Sequence, residues 1–336
     1  MSRYIIKWGQ RVFLFGLPFI IPLLIYIVLD PFKVIRKYDN FYVQDGQPCV
    51  VWLDRGYVGT VTFDNNYSSS KYDSFIFGNS RSIFYEIDDW KHYIDTNSRC
   101  FHFDASGESL YGMYKKIKYV DRKNANIRNV LLVMDYHTLS HINPATEHLN
   151  VNPPQVEDYK NIKDFHLSFI KAFSSPKFII AYYNYKIFGK IDGRVFDVRP
   201  REYDLETNEM SFPYFEQLIE NGEYHTPERM RLFYFRDSTK QSVSPACIGE
   251  QQKQILMKMH AIFQKHGTHL KIIISPLYNQ EKLNEQDVRY LKSLFGKENV
   301  FDFSGINEFT NDFHNYYEDS HYRPHVAREI LKRVYQ

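Results

Sequence analysis

Cysteine is scarce in this sequence: Cys49, Cys100 and Cys247 lie far apart among 336 residues, with no CxxC pair and no metal-ligand spacing. Neither a zinc ribbon nor a disulfide framework is therefore expected, although a single bridge in an oxidising compartment stays open. An excess of charge of either sign is also missing. Lys and Arg number 42 against 40 Asp and Glu, and the two signs are interspersed, so no basic face marks the chain for nucleic acid. Internal repeats and low-complexity tracts are absent. Long apolar runs are missing everywhere but at the N-terminus.

That one run is Val12–Leu29, eighteen residues without a charge, the minimum for a membrane-spanning helix. It ends in Leu29, Asp30, Pro31 and Phe32 rather than in small residues, which points to an uncleaved signal anchor. Pro18 and Pro22 are tolerated in such helices. Arg3, Lys7 and Arg11 before the run are nearly matched by Lys33, Arg36 and Lys37 after it, so charge alone does not orient it. The expectation is a short cytoplasmic tail (1–11), an anchor (12–29) and a large domain outside the cell membrane, since one N-terminal anchor commonly exports the chain behind it.

What is present is apolar and aromatic, with 43% hydrophobic residues and 17% Phe, Trp and Tyr, enough for a proper core. Residues 30–69 read as a stalk with a β-hairpin, because "CVVWLDRGYVGTVTF" places β-branched and aromatic residues around Asp54, Arg55 and Gly56. Strands and helices then alternate. The strand candidates are 73–78, 100–104, 129–135, 270–276 and 299–305, with amphipathic helices after residue 108, before Gly267 and over the last thirteen residues. Such interleaving predicts an α/β fold, a five-stranded parallel sheet covered by helices on both faces, with its site at the carboxyl ends of the strands. The domain spans 70–139 and 245–336. Residues 140–244 break the rhythm with "NVNPPQVEDY" and two aromatic-rich helical stretches, and read as a mainly helical insertion over the strand ends.

On this fold Ser80, in "YDSFIFGNSRS", lies just past the first strand, where backbone N–H groups face incoming negative charge. A serine needs a base, and the base an orienting acid. His321, in "YYEDSHYRPHVAREIL", follows Glu318 and Asp319 on the loop before the last helix, at the same edge of the sheet. The pairs His137/His141 and His321/His325 have helical metal-binding spacing but no glutamate or third ligand nearby, so no metal and no cofactor is expected.

"GNSRS" after the first strand and an acid-x-x-His loop before the last helix resemble the SGNH, or GDSL-type, hydrolase superfamily. With the N-terminal anchor, the chain is closer to its cell-envelope branch, which includes the D-alanyl-transfer protein of teichoic acids and the alginate-acetylation proteins. The resemblance covers about 70–138 and 246–336. It implies a three-layer αβα, flavodoxin-like domain and an esterase or O-acyltransferase working on acyl groups of an envelope polysaccharide, with a membrane-bound acyltransferase as a partner. It makes Ser80 the nucleophile and His321 the base. Glu318 stands where Asp is usual, and Asp319 suits an Asp-x-His variant. Gly107 in "ASGES" matches the oxyanion glycine, and Asn79 and Arg81 beside the nucleophile, with Asp135 and Tyr136 after the third strand, are expected with it at the oxyanion or the substrate. The chain departs from the pattern after the third strand, where an Asn donor is usual and Asp135, Tyr136 and His137 stand instead. That departure, and Glu in place of Asp, suit an alternative: a non-catalytic polysaccharide-binding or assembly subunit that keeps the fold.

Overall fold

Five runs of β-branched and aromatic residues form the central sheet of a computed structural model. It describes residues 2–44 and 46–336, and the side chains of all of these except 2–6, 9, 10, 12–14, 16–19 and 44. The strands are β1 (Ser74–Gly78), β2 (Cys100–Asp104), β3 (Asn129–Met134), β4 (His269–Ile274) and β5 (Val300–Asp302). All four pairings are parallel, in the order β2-β1-β3-β4-β5. Every residue of β1, β2 and β3 is buried, which is why β1 and β3 read as near-continuous apolar runs rather than alternating ones. The order reverses direction between β1 and β3, so a crevice opens at their carboxyl ends, where doubly wound sheets bind ligands.

The helices of eight residues or more are α1 (Ser2–Leu29), α2 (Arg55–Ser70), α3 (Leu110–Arg122), α4 (Ile162–Phe173), α5 (Pro176–Phe188), α6 (Pro213–Glu220), α7 (Glu250–His266), α8 (Glu285–Phe295) and α9 (Pro324–Tyr335). Alternate strand residues face the two helical layers. Phe75, Phe101, Leu132 and Ile272 pack with Phe63 of α2, Ile117 of α3, Met259 of α7 and Leu291 of α8. Ile76, Leu131, Val133 and Ile273 pack on the other side with Trp90, with Ile330 of α9 and with Phe215 of α6.

The expected hairpin around Asp54, Arg55 and Gly56 is instead the start of α2. Asp54 is its N-cap, accepting the Tyr57 N–H at 2.9 Å. The buried face of this helix carries Gly56, Gly59, Thr60 and Phe63, at helical spacing but mostly small. Close approach explains the small residues, since a Cβ on Gly59 would lie 2.9 Å from Asn208 Nδ2. The interspersed Val, Thr and Tyr give the segment its strand-like look. A two-residue pairing, Val43–Gln44 with Gln47–Pro48, is the β structure this region does contain among its described residues.

Burial pushes the Asp54 carboxyl up to about 7, against the pull of the Tyr57 N–H and of Lys116. From pH 4 to pH 7 the native state thus keeps a proton that the unfolded chain releases. This group's contribution to stability therefore falls as pH rises through that window and is level above it. Asp54→Asn keeps a capping side chain and should remove the slope. In urea unfolding, the variant's stability difference between pH 5 and pH 8 is expected to differ from that of the wild type by about 2 kcal/mol. An unchanged difference would show that Asp54 is ionised throughout.

The run Val12–Leu29 lies within α1, though the side chains of 12–14 and 16–19, like most of the tail 1–11, lie outside the described residues. Among the described residues no helix is long and apolar enough to cross a membrane. The foot of α1 packs on the insertion: Tyr26 meets Phe173 at 5.4 Å, and Phe32 stacks on Phe178 at 4.9 Å. The insertion has two destinations. Helices α4 and α5 join α1 and residues 32–51 in a cluster apart from the sheet, whereas Met210, Phe212, Phe215 and Tyr224 pack onto the sheet's second face.

Candidate active site

β1 ends at Gly78, where a Cβ would stand 2.7 Å from the Val133 carbonyl oxygen and 2.7 Å from Ser82 Cβ. Only glycine lets β1 close onto β3 and then turn at once. The turn is fixed by Ser82, whose N–H and hydroxyl both donate to the Asn79 carbonyl, at 2.9 and 2.8 Å. Ser80 sits at its tip.

The His321 loop arrives from the far end of the chain. It is closed by a bridge between Tyr316 and Tyr322, and the Tyr317 N–H donates to the His321 carbonyl at 2.9 Å. Tyr317 is tied further by its hydroxyl donating to Glu216 at 2.6 Å, and Arg323 donates to the same carboxylate at 3.0 and 2.7 Å. Held in this way, His321 Nε2 lies 2.7 Å from Ser80 Oγ, and its Nδ1 meets Glu318 Oε1. A carboxylate at Nδ1 favours the tautomer with hydrogen there, leaving Nε2 free to accept the Ser80 proton. Asp319 is exposed and hydrogen-bonds to no described residue, so of the two candidate acids only Glu318 meets the imidazole.

Asp135 does not replace the missing amide. It is buried, and its Oδ2 accepts from Asn79 Nδ2 at 2.7 Å and from Arg81 at 2.7 Å, while Oδ1 caps the short helix Tyr136–Ser140 through the Thr138 N–H at 2.9 Å. Burial alone would raise its pKa, but Arg81, the Thr138 N–H and Asn79 hold the carboxyl below its ordinary value. Arg81 also donates to the Ser320 carbonyl at 2.9 Å and to the Ser320 hydroxyl at 3.2 Å. Asn79 and Arg81, expected at the oxyanion or substrate, are thus consumed in a brace from β3 through the turn that carries Ser80 to the residue before His321. Tyr136 packs against the core and does not line the cleft.

The second strand contributes differently from expectation as well. Ser106 lines the cleft, while Gly107, at φ +54°, is exposed and outside it. The N–H groups of Ser80 and Ser106 donate to no described residue.

Ser80, Glu318 and His321 open onto a cleft of about 690 Å³. Its walls are aromatic, with Trp52, Phe84, Phe212, Tyr224 and Tyr317 among them, and the Phe84 ring meets His321 edge-on at 5.8 Å. Arginines from the insertion share it. Arg199 lies 4.8 Å from the Trp52 ring and is bound to Asp197 at 3.0 Å, and Arg229 lies 4.0 Å over Tyr224. Arg55 pairs with Asp104 at the end of β2, Nε to Oδ2 at 3.1 Å. Sequence reasoning missed these residues; the one signal that could have found them is the pair Arg199 and Arg201 within an aromatic insertion. His321 and His325 diverge, His325 bonding Asn315 at 2.8 Å, and among the described residues no group of three or more metal-ligating side chains forms.

No family model matches this chain, and no curated protein matches it.

Proposed function

We propose that this protein is a membrane-anchored, SGNH-like serine esterase or O-acyltransferase that works on acyl groups of a cell-envelope polysaccharide, with its domain outside the cytoplasmic membrane. One observation carries the reading: Ser80, His321 and Glu318 form a continuous relay, 2.7 Å at the serine, facing a cleft large enough for a substituted sugar. Ser80 Oγ attacks the acyl carbonyl while His321 Nε2 takes its proton. The oxyanion accepts from the free N–H groups of Ser80 and Ser106. The ester C–O bond then breaks, and His321 returns the proton to the departing alcohol. Water or a sugar hydroxyl attacks the acyl-serine by the reverse steps, so hydrolysis and transfer share one intermediate. Aromatic walls suit the apolar faces of sugar rings, and the apolar run in α1 supports anchoring. A membrane-bound acyltransferase fits the transfer direction as donor.

A second reading has an observation of its own. Among the described residues no side-chain amide hydrogen-bonds to the serine, because Asn79 is bound to Asp135 and Thr138, and one missing oxyanion donor costs about a hundred- to a thousand-fold in rate. That suits a binding or assembly subunit. A fluorophosphonate probe separates the two: folded wild-type protein should be labelled and Ser80→Ala should not. Absence of label on the folded wild type would exclude the enzyme.

A further inference from the structure

Helix α5 has an apolar side with no protein partner among the described residues. Phe178, Ala181 and Tyr182 point into the cluster shared with α1, whereas Ile180, Ile187 and Phe188 are 62, 66 and 66% exposed, and Ile191 beyond the helix is 48% exposed. Such a patch on a helix face calls for a partner.

Two features say what the partner is. The first is position. Pro31, two residues past the end of α1, shares a hollow with Tyr182, Tyr185 and Lys186 of α5. On α1 itself Ile20, Ile21, Leu23, Leu24, Ile27 and Val28 are exposed, so a bilayer around this helix has its surface at the level of Pro31, beside the last turns of α5. The second is charge. Residues 176–194 carry Lys177, Lys186, Lys190 and Arg194 against a single acid, Asp192, to which Arg194 donates at 2.8 and 2.9 Å. Exposed apolar side chains with lysines beside them bind anionic membranes through buried apolar area and attraction to the headgroups.

We propose that α5 and the turn after it, through Ile180, Ile187, Phe188 and Ile191, lie in the interface of an anionic bilayer and form a second membrane contact beside α1. The contact rests on α1 being the anchor. It adds that the domain does not swing freely on a tether: α4 and α5 clamp the foot of α1, and α5 rests on the lipid, so the insertion sets the tilt at which the cleft faces outward.

The test uses the full chain in phosphatidylcholine vesicles with and without phosphatidylglycerol. In a Cys49→Ser, Cys247→Ser background, an environment-sensitive fluorophore is attached at Ile187→Cys, at Ile20→Cys in the anchor, or at Met257→Cys, an exposed position on α7. Quenching by doxyl-labelled lipid is then measured. The label at 187 should be quenched about twofold or more above that at 257, and more strongly when phosphatidylglycerol is present. Quenching at 20 with none at 187 beyond the level at 257 would overturn the second contact and leave the anchor standing. No quenching at 20 would overturn both.

Discussion

Replacing Ser80 by alanine, His321 by alanine, or both together is expected to lower the hydrolysis of a simple activated ester by one and the same factor, about 10⁴ to 10⁶. The reason lies in the 2.7 Å contact between Ser80 Oγ and His321 Nε2. Neither group does the chemistry alone, because a hydroxyl without a base is a poor nucleophile and a base without the hydroxyl has no proton to take. Once one is gone, losing the other removes nothing more. Initial rates on p-nitrophenyl acetate for both single variants and the double variant check this. If the two losses multiply, or if Ser80→Ala keeps most of the rate, the two residues are not one catalytic unit, and the cleft is working through other groups.

The second large effect belongs to Arg81, which touches no substrate in this scheme. Arg81→Met removes the charge that offsets the burial of Asp135 and leaves that carboxyl, among the described residues, with only Asn79 and Thr138 as partners, and orphaning a buried charge typically destabilises by about 3–5 kcal/mol. The guanidinium is itself partly exposed, with 19% of its side-chain surface open, so the lower end of that range is expected. Urea unfolding reads this loss. The variant also loses both ties to Ser320, so its remaining folded fraction should show a lowered kcat from a mispositioned His321. Adding Asp135→Asn should recover part of the stability, because no charge is then left buried, but not the kcat, because the ties to Ser320 stay broken. Recovery of both would mean that Arg81 matters for folding alone.

The sheet was legible because both of its faces are covered: β1 and β3 are near-continuous apolar runs, and β4 ends in one, Ile272–Ile274, each followed by Gly or a polar turn. The placing of Ser80 beside His321 was legible for a related reason, since each follows a strand of known direction and therefore falls at one edge. Helix α2 was not, because its inward face is made of Gly56, Gly59 and Thr60, residues that contribute closeness rather than apolar periodicity. The role of Asp135 was not legible either. Its position after β3 is plain in the sequence, but its use is decided by Arg81 and Asn79, which reach it only in the folded turn. The cleft walls were the least visible part, because Arg199 and Arg229 come from an insertion whose path no local pattern fixes.

The distance along the chain between Ser80 and His321 also imposes an order in time. Synthesis runs from the N-terminus, so the nucleophile turn, β2 and β3 are all made before the insertion, and β4, the neighbour of β3 in the sheet, is made only after it. The base arrives with the 316–322 loop, a few residues ahead of the last helix. On the proposed catalytic reading, a chain still emerging carries its serine without the histidine that would activate it, and would become reactive only when the 316–322 loop has docked.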